Sequence, residues 1–218
     1  MRIRLRRLRA VTLLLCIVSQ LTACSGTQPA RFYTLSSLAG SGDAERSPVG
    51  QPREIIGIGP VAMAKYLDHP GITTRSGENT ITRSELDRWG GSLGDEVNRV
   101  LVENMGQLLP GGRYLVLPWL ETSVIDCRVQ LNITRFEKTP EGPVMLSAAW
   151  MLLGRERNTL LASGDAVITE PVHGTGYAAI SGAMSRGLAE LSRRIAAEIR
   201  KMSGGGEFVL PEPPGAYR

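Results

Sequence analysis

The chain has 218 residues, 42% of them hydrophobic, with 25 basic and 21 acidic side chains and a net charge of +4. Residues 1–23 hold five arginines and no acid, so the remaining 195 residues carry 20 basic against 21 acidic groups, net −1, and global basicity makes no case for nucleic acid. Two histidines far apart, His69 and His173, and three cysteines without metal-ligand spacing point to no metal and no cofactor.

In chain order, Arg2, Arg4, Arg6, Arg7 and Arg9 form a positive start, and Val11 to Val18 is apolar but for Thr12. A bilayer core needs about 20 apolar residues, so this run reads as a secretory signal and not as a transmembrane helix. It closes on Leu21-Thr22-Ala23-Cys24, small residues followed by a cysteine, which resembles a bacterial lipobox. That resemblance implies S-diacylglycerol on the Cys24 thiol, cleavage before it and an N-acyl group on the new amine. Two or three acyl chains give lasting attachment where one gives only a weak hold. Ser25 stands where an aspartate would retain the protein at the inner membrane. The expected location is the periplasmic face of the outer membrane of a Gram-negative bacterium. With Cys16 removed and Cys24 acylated, Cys127 is the one cysteine left, which excludes an intrachain disulfide.

Arg31 to Ser36 reads as a short strand, and Ala39 to Pro52 as a loop rich in Gly, Ser, Pro and charge. Glu54 to Val61 is a second strand whose Gly57 and Gly59 allow a bulge or close packing. Ala64 to Leu67 suggests one helical turn, and Ile72 to Arg75 and Thr80 to Thr82 suggest a hairpin around Gly77-Glu78-Asn79. Ser92 caps a helix with Asp95 three residues on, and Leu93, Val97, Val100, Leu101, Met105 and Leu108 form its apolar stripe before Pro110-Gly111-Gly112 ends it. Tyr114 to Leu117 is a strand ended by Pro118-Trp119. From Ile125 to Thr134 apolar and polar residues alternate strictly, which predicts a half-buried strand with Cys127 on its apolar face. The alternation slips at Arg135-Phe136, the mark of a bulge or a strand end.

Val144 to Leu153 is apolar on both sides and reads as a strand covered on both faces. Leu160 to Thr169 alternates again. Tyr177 to Met202 has apolar residues at steps of three and four, a helix docking on a sheet or, as the lesser reading, on a partner helix, and Ser203 to Arg218 is a Gly- and Pro-rich tail. These elements predict an α/β (α+β) two-layer sandwich, a mixed or antiparallel sheet of about five or more strands with two long helices on one face. The expected division is 1–23 signal, 24–53 anchor, first strand and loop, 54–203 folded domain with the strand at 31–36 joined to it, and 204–218 tail.

One catalytic pattern is present. Gly90-Gly91-Ser92-Leu93-Gly94 fits G-x-S-x-G, and Asp165 and His173 follow in hydrolase order, so a lipid-anchored serine esterase is an alternative. A nucleophile elbow needs a strand before it, and Ser84 to Trp89 is polar and not strand-like, so no catalytic residue is assigned and the chain is read as a non-enzyme. The residues suited to partner contact are Tyr66, Leu67, Asp68, Arg75, Arg88 and Trp89, because Tyr, Trp and Arg join large contact area to a polar handle; the equal alternative is that Trp89 and Tyr66 pack on the sheet and the arginines form ordinary surface pairs.

Ile58-Gly-Pro-Val61, Tyr66-Leu67-Asp68, Pro70 to Gly77, Arg88-Trp89, Pro118-Trp119, Arg135-Phe136, Ala149-Trp150 and Leu188 to Ala197 together resemble the PqiC/YmbA lipoproteins, auxiliary components of ABC-type intermembrane transport. Lys65, His69 and Gly90-Gly91-Ser92 depart from that pattern, and the pattern requires no serine at 92. The resemblance implies a lipoprotein that works with an MCE-domain protein of the inner membrane and periplasm, in a system that moves phospholipid between membranes and supports envelope integrity. It implies a docking element that hydrolyses no ATP, with a homo-oligomeric ring as one mode of assembly. The alternative of another class is a scaffold lipoprotein of outer-membrane biogenesis or lipopolysaccharide export.

Overall fold

The computed structural model describes residues 28–38, 55–117, 125–155 and 158–203. The chain divides into two compact units, Met1–Ala30 and Arg31–Arg218, and every element below belongs to the second. The signal with Cys24 and Ser25, the 39–52 loop, Pro118-Trp119 and the tail from 204 lie outside the described residues.

The strands are β1 Arg31–Tyr33, β2 Ile55–Met63, β3 Gly71–Gly77, β4 Thr80–Trp89, β5 Arg113–Val116, β6 Cys127–Lys138, β7 Val144–Gly154 and β8 Leu160–Glu170; the helices are α1 Leu93–Leu108 and α2 Gly176–Ser203. All eight strands join one mixed sheet. β6 organises it. Along one edge β6 pairs antiparallel with β7, which pairs antiparallel with β8. Along the other edge the sheet forks. β2 runs parallel to β6 from Cys127 to Ile133 and carries β5, also parallel. Farther on, β3 meets β6 at the single pair Thr74↔Lys138 and carries β4 and then β1 as a wing.

The registers put the apolar residues on one face. Ile56 and Ile58 of β2 lie opposite Cys127 and Val129 of β6, and Val129, Leu131 and Ile133 lie opposite Leu152, Trp150 and Ala148 of β7. All of these are buried. Both helices pack on this face and against each other, α1 over β2 and β5, α2 over β7 and β8. The α1 stripe is buried at Leu93, Val97, Val100, Leu101 and Met105, and Ser92 caps the helix by accepting the Asp95 N–H at 3.1 Å. Among the described residues no helix is long and apolar enough to cross a membrane.

Both expected irregularities are present: β2 shifts register between Ile58 and Val61, and β6 between Ile133 and Arg135. Two readings need correction. β7 is covered by helices on one face only; on the other, Met151 is 42% exposed, with Val167 of β8 64% exposed on the same side. Its apolar outer residues made both faces look buried. β4, expected to stop near Thr82, continues to Trp89. Its alternation is hidden because residues 84–87 bulge between the pairs Thr73↔Arg83 and Gly71↔Arg88. Gly71 permits this: a Cβ there would collide with the Ser84 carbonyl.

Candidate docking site

The slip in β6 has a structural consequence. Before the bulge the odd positions through Ile133 face the helices; after it Phe136 lies opposite buried Leu146, so Phe136 enters the core and Glu137 turns to the other face. There the turn between β2 and β3, closed by Leu67 N–H to the Ala64 carbonyl at 2.9 Å, and Arg75 of β3 cover it.

Glu137 is fully buried, and four groups hold its carboxylate. The Tyr66 hydroxyl donates to Oε2 at 2.7 Å and the Phe136 N–H to the same oxygen at 2.9 Å. Arg75 Nε and Arg135 Nε both donate to Oε1, at 3.0 and 3.1 Å. Burial opposes the charge, and the bonds from Tyr66, Arg75, Arg135 and Phe136 outweigh it, so the carboxyl stays below its ordinary value. Burial, then the bond to Glu137, pushes the Tyr66 phenol up to about 12. Arg75 also lies over the Tyr66 ring, 5.9 Å from its centroid, and donates to the Glu78 carbonyl at the hairpin tip. Because the wing shares one residue pair with β6, this cluster is its main polar tie to the rest of the sheet.

A second buried carboxylate lies within the wing and ties β4 to β1. Asp87 accepts from Arg31 Nε at 2.8 Å, Tyr33 Oη at 2.8 Å and Ser84 Oγ at 2.9 Å. Burial works against its charge, and Arg31, Tyr33 and Ser84 prevail, holding it low.

The six residues expected to meet a partner therefore divide. Tyr66 and Arg75 are brought together on Glu137. Leu67 and Trp89 are buried in the core, while Asp68 and Arg88 are exposed. Sequence reasoning did not single out Glu137, Arg135 or Arg31 as site residues; the signal for the first two was the slipped alternation, which turns an acid to the face covered by the wing.

The esterase residues are not gathered. A strand does precede Ser92, contrary to expectation, but the Ser92 hydroxyl is engaged in capping α1, Asp165 lies on the sheet face opposite the helices, and His173 is exposed. Among the described residues no hydrogen bond links the three. A cleft of about 380 Å³ lies between residues 36–38 and α2, lined by Ser185, Arg186 and Arg193 among others; Arg186 is already tied to Glu170 and to the Pro171 carbonyl.

Fold and site together define a two-layer α/β body whose polar interior serves structure, with a braced wing at one end. The chain belongs to the family of ABC-type transport auxiliary lipoprotein components, the PqiC/YmbA type, whose family model matches residues 33–196. It is thus a transport-associated lipoprotein, in a family of auxiliary components and not of enzymes. Two solved structures share the fold. One, an uncharacterised protein, has 20% identity and a TM-score of 0.64, covering 79% of this chain and 99% of its own. The other, from Xanthomonas campestris, has 16% identity and a TM-score of 0.61, covering 80% and 99%. Comparison with curated proteins returned no match.

Proposed function

We propose that this lipoprotein is the outer-membrane subunit of an MCE-type intermembrane phospholipid transport system. Cys24, with diacylglycerol on its thiol and an acyl group on its amine, holds it to the periplasmic face, and Ser25 directs it there. Residues 1–23 are then the removed signal, 24–53 the anchor with first strand and loop, 54–203 the body and 204–218 a tail. The body receives the end of an MCE-domain tunnel, with a homo-oligomeric ring as its assembly, and acts by docking without catalysis. The observation that carries this reading is the family match over residues 33–196, joined to a leader that ends on a lipobox cysteine.

The braced corner supports a docking role. Tyr66 and Arg75 are held by a buried carboxylate, and Asp68, two residues from Tyr66, is exposed. A fixed aromatic and arginine lose little side-chain freedom on binding, which is how such residues come to dominate interfaces. The test is cross-linking in intact envelopes followed by purification of this chain. Capture of an MCE-domain protein, reduced by Asp68→Lys, is expected. Envelopes that never yield such a protein, or Cys24 found unmodified by mass spectrometry, would overturn the proposal.

A further inference from the structure

β1 is three residues long, and both its ends are engaged on Asp87: Arg31, itself exposed, reaches back to Asp87, and half-buried Tyr33 binds Asp87 and lies 6.4 Å from the Tyr177 ring. Alternation turns Phe32, between them, the other way. Phe32 is 66% exposed, more than any other large hydrophobic side chain among the described residues. A single exposed apolar residue is ordinary. Its neighbour makes this one informative. In the parallel register Phe32 pairs with Arg88 of β4, and paired residues share a face. Arg88 is exposed and makes no ion pair among the described residues; its Nε donates to the Glu85 backbone carbonyl. The arginine of β1, Arg31, is spent on Asp87. The surface thus pairs an uncovered aromatic ring with an uncompensated guanidinium.

We infer that Phe32 and Arg88 rest on the phospholipid surface that carries the Cys24 tether, the ring at the headgroup boundary and the guanidinium on anionic headgroups. An aromatic beside a cation is the chemistry of that boundary, where the ring leaves water and the charge stays at the phosphates. Arginine suits phosphate through its planar fork of donors. Chain length selects this occupant over a distant one: Arg31 is seven residue steps from Cys24, and covalent geometry limits that span to about 25 Å. A tether this short makes the second contact intramolecular, so one ring and one arginine suffice where they would be too weak alone. The inference rests on the acylated Cys24 of the proposed function and adds that the folded body touches lipid directly.

The test uses the full processed chain carrying Phe32→Trp, reconstituted into phosphatidylglycerol–phosphatidylcholine vesicles with or without bromine on the acyl chains. The three native tryptophans are subtracted with the unsubstituted chain. The added emission is expected to be blue-shifted and quenched by brominated lipid, and less quenched in Arg88→Gln or in vesicles of phosphatidylcholine alone. Equal emission in brominated and plain vesicles overturns the inference, including the case in which the ring is covered by protein. Mass spectrometry of the same sample separates the two readings. Acylated Cys24 with an unquenched residue 32 leaves the anchor standing and removes the contact. Quenching without acylation leaves the contact and removes the anchor; a chain that neither carries acyl groups nor joins vesicles removes both.

Discussion

The Tyr66 hydroxyl and the Glu137 carboxylate, 71 positions apart in the chain, meet at 2.7 Å and close the space between the wing and the long central strand. Removing the hydroxyl in Tyr66→Phe takes away a hydrogen bond to a charged group, worth about 1.5–3 kcal/mol. Near-ultraviolet absorbance titration checks the assignment. Of the five tyrosines, the phenol that ionises near pH 12 should vanish in this variant, and urea unfolding should shift to lower denaturant.

Glu137→Gln keeps the shape of the side chain but leaves Arg75 and Arg135 facing a neutral group. Breaking a buried pair from one side costs about 3 kcal/mol. The loss depends on pH in a defined sense. Because the folded carboxyl titrates below its reference value of 4.5, its stabilisation is complete above that value and fades as pH falls through the folded pKa. The stability difference between wild type and Glu137→Gln should be constant at neutral pH and shrink in acid; a difference that grew in acid would contradict the sign.

Trp150 lies across Gly164 on the neighbouring strand: a Cβ at 164 would sit 2.7 Å from Trp150 Cζ2. Gly164→Ala should cost about 1–3 kcal/mol through this overpacking. In a Trp150→Leu background the penalty should fall, and a double-mutant cycle by chemical denaturation reads the coupling.

Asn104 of α1 donates to the Ser192 hydroxyl of α2 at 2.9 Å and accepts the Leu38 N–H at 2.7 Å, joining both helices to the segment after β1. Both side chains are fully buried. Asn104→Ala strands a backbone donor and should cost about 1–3 kcal/mol. Amide exchange at Leu38 should accelerate, while Ser192→Ala, whose loss leaves the Leu38 bond intact, should leave that amide protected.

Much of the candidate site was legible only in part, and the reason is distance along the chain. Tyr66 and Arg75 stood out as residue types, but their anchor Glu137 sits in a strand whose local pattern announces only a bulge. Trp89 and Leu67 look like contact residues by type, and the fold spends both on the core.

By itself the sequence determined the periodic elements: the alternation from Cys127 to Ile133, the Ser92 cap and stripe of α1, and the long stripe of α2, which together imply a helix-covered sheet. These are signals of period two or 3.6 within one segment, set by local backbone geometry and the need to bury one face. The tertiary structure decided what depends on separated segments meeting: the fork that lets β6 hold both β2 and β3, the extension of β4 past its bulge, the bare outer face of β7, and the buried carboxylates with their arginines. A charge in the interior is tolerable only where partners from other strands arrive to meet it, and no local pattern records which partners those are.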